Sequence, residues 1–578
     1  MAISGYQAIG NSNSFPEFTR AISIQADNVL TIVKGSHTLK FGGSFTRHRF
    51  NGHTSVAPRG QYLFQGQFTR QVGSGSSATA LADFAMGVSP NIQRSEQFGN
   101  FGMRIFEVGG FAEDAWRASN RMTITYGMRY ELQAPPYEVH DRWSNLDVVT
   151  GKFLVAGVNE GGHGRRLRDI DTNNFGPRLG LTYMLTSDQK TVLRAGAGFS
   201  YFEANNGGRM LHSNPPMNVI QAFVYDQNGA PGLRLSDGIP LPVQPNLADP
   251  KQLDGVYTAF DPSMQTNRSM QWSLGIQREL LPNLLLDVAY VGSRTLLMTN
   301  AALGNQARPG PGPLAPRRPL YSINPILQDI DYRTNYGASK YHSMQINVTK
   351  RYARGLTASL AWTWSHSLSN TKGANSSTRP QDSNCYNCEW GNTDENLRHM
   401  VVVNHVYELP FGKGRQFASQ GPLAYIVGNW NVSGIWTMYT GYSFNPLNST
   451  SVSNSIGAPT LAPAERPDRL RNGNLPNDQR TIDRWFDVGA FAIPAQFTFG
   501  NSGRNVLEGP GYFNVDTGVH RNFQIREGMR LTYRWEMFNA FNRANFNAPN
   551  ASIGNSTAGQ ISGTRAARVM QMALKLSF

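Results

Sequence analysis

Cys385 and Cys388 are the chain's two thiols, separated by two residues in a stretch rich in Gly, Asn and Ser. Such a pair can close a local disulfide, remain as two free thiols, or supply part of a metal site. With only His399 nearby, one C-x-x-C is a weak metal signal, because a structural zinc needs four ligands. An oxidising compartment favours the disulfide. The remaining chemistry-bearing residues that stand out are Arg129, Glu131, Asp287, Arg530, Arg534 and Glu536, each set among alternating apolar neighbours. On a strand that spacing gathers charge on one face, which describes a polar wall that contacts solute or simply tolerates water. No GxSxG, HExxH or GxxxxGK[ST] occurs, so no catalytic residue, metal or cofactor is expected and an enzyme is not.

The element that must carry these residues is a strand. Met570, Met572, Leu574, Leu576 and Phe578 alternate with Val569, Gln571, Ala573, Lys575 and Ser577, a period that a helix would scatter. Leu356, Ala358, Leu360, Trp362 and Trp364 repeat the pattern, as do Met122 to Tyr130, Leu531 to Met537, Leu284 to Tyr290 and Met344 to Val348. Runs of about 10 to 14 residues exceed the usual 5 to 6 of a soluble sandwich and suit a tilted membrane strand. Trp362, Trp364, Tyr130, Tyr290 and Trp272 sit near the ends of apolar faces, where interfacial girdles need aromatics.

Counting such segments predicts about 17 strands: 20–33, 37–50, 60–69, 88–97, 104–117, 121–132, 176–186, 190–202, 267–280, 284–294, 340–351, 356–368, 398–410, 428–441, 512–523, 528–541 and 567–578. Their connections sort by parity. Short ones fall near 34–37, 118–120, 187–189, 281–283, 352–355 and 524–528. Long ones fill 133–175, 203–266, 295–339, 369–397, 442–511 and 543–566. Short periplasmic turns facing long external loops are the habit of outer-membrane barrels, and a soluble sandwich has no reason to sort its loops this way.

Composition agrees. No stretch approaches 18 consecutive apolar residues, so spanning helices are excluded, and a closed barrel is the other structure that satisfies every backbone group in lipid. Charged residues make up only 16% of the 578, against 11% aromatic. The net charge of +14 is diffuse, with no Lys/Arg run of five, so nucleic acid is not an expected partner. Met1 to Gly10 carries no signal-peptide pattern; the chain is expected either to stay inside the cell or to begin partway through a longer one.

Several stretches resemble TonB-dependent outer-membrane transporters of the Oar-like group: DENLRHMVVVNHVYELPFGKGR (Asp394 to Arg415), NWNVSGIWTMYTGY (Asn429 to Tyr442), FGNSGRNVLEGPGYFNVDTGVHRN (Phe499 to Asn522), LTYRWEMFNAFNRANF (Leu531 to Phe546), HTLKFGG (His37 to Gly43), GGFAEDAWRASNRMTITYGMRYE (Gly109 to Glu131) and NNFGPRLGLTY (Asn173 to Tyr183). The resemblance implies an all-β, antiparallel transmembrane β-barrel of which residues 1–578 are one part of a 22-stranded whole. The signal peptide, β-sandwich, plug and about five first strands would then be absent. It also implies an outer-membrane setting, lipid around the wall, and a TonB complex acting through the missing plug on an unknown solute. Met572, Leu574, Leu576 and Phe578 resemble the C-terminal signal read by the barrel assembly machinery. The alternative function is a passive porin or a structural or adhesion barrel.

Overall fold

The computed structural model describes residues 1–578 except 56, 70–78, 203–207, 225–232, 250–251, 254, 375 and 458–460. Among the described residues, 18 strands hydrogen-bond into one sheet. Three are short: Tyr137–Glu138, Tyr257–Phe260 and Gly391–Asn392. The others form an antiparallel meander in chain order: β1 (Phe18–Lys34), β2 (His37–His53), β3 (Phe101–Ser119), β4 (Met122–Gln133), β5 (Phe175–Met184), β6 (Thr191–Phe202), β7 (Asn267–Leu281), β8 (Leu284–Leu303), β9 (Ile330–Ala353), β10 (Leu356–Ser369), β11 (His399–Glu408), β12 (Trp430–Tyr439), β13 (Tyr512–Arg526), β14 (Met529–Phe538) and β15 (Val569–Ser577). Each inner strand pairs with its two neighbours, whereas β1 pairs only with β2 and β15 only with β14.

Apart from one-residue irregularities toward strand ends, register keeps the two parities apart along the wall. Trp535, Tyr533 and Leu531 lie opposite Met572, Leu574 and Leu576. The apolar row continues from strand to strand, as in Trp362 opposite Ile346, which in turn faces Val288, itself opposite Ile276. The polar row runs alongside, with Asn347 opposite Asp287 and Asp287 opposite Gln277. A one-residue slip would exchange the two faces, so continuous register shows that the side-chain pattern fixes the pairing. Tight turns hold it; Pro282 and Asn283 join β7 to β8, and Asn283 takes the positive φ (67°) that such a turn demands.

The faces differ in what covers them. At the end bearing the long loops, Phe101, Met103 and Ile105 of the polar parity of β3 are buried under Trp143, Leu154, Leu167, Leu211, Met217 and Phe260 from loops. The polar face is therefore the inward one. The apolar face is bare: Leu30 is 55% exposed, Leu574 70% and Met572 68%. Among the described residues the buried clusters lie where the long loops cap the wall, strand ends such as Phe101 to Ile105 and Ile330 packing under them.

Two expected wall strands do not join the wall. Segments 60–69 and 88–97 contribute Gln61–Phe64 and Asn91–Gln97 to a separate four-stranded sheet with Ala2–Ile3 and Asn218–Val224. NIQRSEQ offers only Ile92 as a large apolar residue, too little to build a bare apolar face, and Ile92 instead packs with Tyr62 and Phe64. Conversely, β8 and β9 run on to Leu303 and from Ile330, beyond the expected bounds, because Ala301, Ala302 and Leu303 are buried in the cap. By register, the 409–429 connection lies on the short-turn side, and it holds a helix, Gly421–Val427.

Candidate functional site

The six charged residues expected on a polar wall all fall on the polar parity of their strands. Arg129 bonds Glu131, two residues along β4, Nε to Oε1 at 2.5 Å. Arg534 bonds Glu536 in the same way on β14, and Gln571 donates to Glu536 from β15. Asp287 stands between Asn347 and Gln277, and Arg530 between Gln524 and Ser577. The register thus distributes them over the wall and brings only two ion pairs together. Pairing along one strand neutralises charge locally and leaves the wall polar without a concentrated field.

Between β10 and β14 the inward face forms a groove of about 460 Å³. Ser359, Asn404, Asp516 and Glu536 supply polar groups, but Val406 (44% exposed), Ile435 (50%) and Phe538 (45%) also project into it. Ile435 lies directly opposite Asp516, whose Oδ1 accepts the backbone N–H of Asn539 at 2.9 Å. An apolar patch on a polar wall is the feature that the alternation rule had no way to flag, since these residues break the rule.

The cap is held by buried polar groups. Asn145 accepts from the Phe260 N–H and donates to the Phe260 carbonyl, both at 2.8 Å, closing a two-bond ring across loops. Asn214 does the same for Thr258 by accepting its N–H at 3.1 Å and donating to its carbonyl at 2.7 Å. An asparagine amide carries one acceptor and two donors, so it stands in for a missing strand partner. Arg466 grips Glu389 with two nitrogens, at 2.6 and 3.0 Å, both side chains being buried. Glu389 also accepts from the Gln381 N–H at 3.2 Å, and Gln381 reaches the Gly500 carbonyl at 2.9 Å. Asp394 receives Asn505 Nδ2 at 2.7 Å and Lys372 Nζ at 3.1 Å. Burial opposes its ionisation, but those hydrogen bonds and the Lys372 and Arg504 charges outweigh it and hold the carboxyl below the usual range.

Cys385 and Cys388 lie within this cap with their sulfurs joined and Cα atoms 5.4 Å apart. Tyr386 between them stacks on Tyr336 of β9, ring centroids 4.1 Å apart. His399 is elsewhere, at the start of β11, stacked against Trp362 and Trp364 on the outward face. At the chain's end Met572, Leu574 and Leu576 line the outward row, and Phe578 stands 96% exposed beyond the last strand.

Known proteins match this build. The outer membrane transporter YddB from Escherichia coli is 10% identical, with a TM-score of 0.50 over 97% of this chain and 55% of that one. The copper transporter OprC is 10% identical (TM-score 0.46, 97% and 58% covered), and the FrpB iron transporter from Neisseria meningitidis 12% identical (TM-score 0.42, 96% and 55% covered). The chain spans a little over half the length of these proteins. No curated protein matches it. The Outer membrane beta barrel domain, by contrast, matches residues 1–571. With that match resting on a fifteen-strand meander of two-faced strands, the chain belongs to the outer-membrane β-barrel family and to the bacterial outer membrane.

Proposed function

We propose that this chain forms the wall and external cap of a TonB-dependent, Oar-like transporter, whose loops capture a solute that passes through a plug-gated lumen. The observation that carries this reading is the inward patch of Val406, Ile435 and Phe538. A water-filled pore has no use for a grouped apolar patch, whereas a folded plug covers it and gains the burial. The outward apolar row then meets hydrocarbon and the inward row meets water or plug.

The unpaired edges of β1 and β15 support a longer wall. An open edge in lipid leaves backbone groups without partners, so a barrel must close. With about 22 strands in transporters of this kind and fifteen here, about seven more would close it, rather than the five that the longer strand count implied. The C-terminal row of Met572, Leu574, Leu576 and Phe578 serves recognition by the assembly machinery; deletion of Phe578 is expected to lower the heat-modifiable, folded fraction in outer-membrane extracts.

Planar-bilayer recordings of the full-length natural protein test the gated reading. Closed behaviour that opens only when the plug is unfolded by urea is the expected result. Steady open current from the untreated protein would support a passive porin instead. The DNA preceding residue 1 is a second check: an open frame encoding a plug and TonB box is expected, and a stop codon there would overturn the proposal.

A further inference from the structure

We infer that the outward wall binds phosphate groups of anionic lipid headgroups at two cationic patches on its external side. The inference rests on the outward face meeting lipid, as proposed above. Toward the loop side of β7 to β9 the outward parity carries Arg268, Arg294 and Lys340. Arg294 lies directly opposite Lys340 on one side and Met270 on the other, so Arg268 sits one outward position further along. All three are exposed. On β2 and β3 the outward parity carries Arg47, Arg49 and Arg104 toward the loop side, all half-buried, with Arg49 directly opposite Arg104.

Like charges placed opposite one another destabilise a sheet, and each patch contains such a pair. Among the described residues no salt bridge joins any of the six to a carboxylate, although the buried Glu138 acts on Arg104 electrostatically. Lys340 sits 5.7 Å over the Trp390 ring, and Arg104 donates to Asn51 Oδ1 at 2.9 Å, contacts that orient a cation without neutralising it. The first patch therefore has no balancing charge among the described residues, and in the second Glu138 faces three cations. Arginine's planar fork and lysine's point charge both suit phosphate oxygens.

Height selects the source of that phosphate. Just below the first patch, Trp272 Nε1 donates to Tyr290 Oη at 3.3 Å, and Tyr290 Oη lies 2.7 Å from His342 Nδ1, a girdle at the membrane interface. From Lys350, at the short-turn end of the same outward row, to Lys340 is about ten residues, or about 34 Å of strand. A tilt of about 40° lowers that to about 26 Å, the height of an outer-membrane apolar band. His37 to Arg47 on β2 spans the same interval. Both patches therefore stand at headgroup level on the loop side, which is the outer leaflet. The intervening strands carry Tyr130, Phe175 and Tyr201 on that side, so the charge forms two sites instead of a continuous ring.

The test uses the full-length protein in detergent, mixed with phosphatidylcholine and a diphosphorylated glycolipid, with bound lipid read by native mass spectrometry. The double variants Arg294→Gln/Lys340→Gln and Arg49→Gln/Arg104→Gln are each expected to lose glycolipid binding at their patch by about 30-fold, at roughly fivefold per cation removed. The inward double variant Arg129→Gln/Arg530→Gln is expected to bind as the unaltered protein does. Competition by millimolar inorganic phosphate would identify a free-anion site and overturn the lipid assignment, as would undiminished binding by the outward variants. Flotation of the unaltered protein with vesicles tests the barrel reading separately: if it floats and the patches bind nothing, only this inference fails.

Discussion

A lysine placed at Ile346 and another at Asn347 test the two-faced wall with adjacent residues of β9. Ile346 faces outward between Val288 and Trp362, near the middle of the row that Lys340 and Lys350 bracket. Asn347 faces inward between Asp287 and Ala361. A lysine on the lipid face near the bilayer midplane costs about 2–4 kcal/mol. At 1.4 kcal/mol per decade, Ile346→Lys is expected to lower the folded-to-unfolded ratio by about 30- to 1000-fold. Asn347→Lys gains Asp287 as a neighbour across the strand pair and should stay within about 0.5 kcal/mol of the unaltered protein. His342→Lys, at girdle height on the outward row, should cost only about 0–1 kcal/mol, because the penalty falls toward the interface. Urea titration of the full-length protein in phosphatidylcholine vesicles, followed by tryptophan fluorescence and heat-modifiable mobility, measures all three. Equal costs at 346 and 347, or a larger cost at 347, would refute the assignment of the faces.

Three further outcomes concern the cap and the short-turn side. Arg466→Ala leaves the Glu389 carboxylate buried without its partner, a loss of about 3–5 kcal/mol; faster amide exchange across 381–389 and 465–502 is expected, and Glu389→Gln with Arg466→Met should recover most of the protection. Asp394 has a depressed folded pKa, so its contribution is complete above its unfolded value of about 3.9 and is lost as pH falls through the lower folded value. Cap protection should therefore hold from neutral pH down to about 5 and decline below about 4, and Asp394→Asn should remove that decline. Arg521, on the outward parity between the Trp430 and Phe523 rings, donates to the Tyr425 carbonyl and, at 2.5 Å, to that of Ile426. Arg521→Met keeps the apolar contact but takes the side-chain donor from the Tyr425 carbonyl, while the Ile426 carbonyl keeps Trp430 Nε1 at 3.1 Å; the loss is about 1 kcal/mol, so exchange in 409–429 should quicken while the wall strands keep their protection.

What could be read from the sequence, and what could not, divides at the boundary between wall and cap. Within the wall each residue's environment is set by its parity, so Leu360, Trp362 and Trp364, or Arg530, Arg534 and Glu536, declare their faces from spacing alone. Period two identifies a strand but not the sheet it joins, and for that reason the pattern of 60–69 and 88–97 points to the wall although Gln61–Phe64 and Asn91–Gln97 pair in the cap. Their missing apolar row was the available sign. In the cap the stabilising contacts join residues far apart in the chain: Asn145 to Phe260, Asn214 to Thr258, Arg466 to Glu389. Asparagine in a loop is ordinary turn chemistry by local rules, and nothing local distinguishes an Asn that caps its own turn from one that replaces a strand partner across the cap. The same limit explains the binding surfaces. Val406, Ile435 and Phe538 are far apart in sequence and sit on the polar parity, and only lateral register shows that they form one patch. Arg294 and Lys340 likewise become a like-charge pair only once β8 and β9 are aligned. Function in such a wall is written sideways, across strands, whereas the sequence is legible only along them.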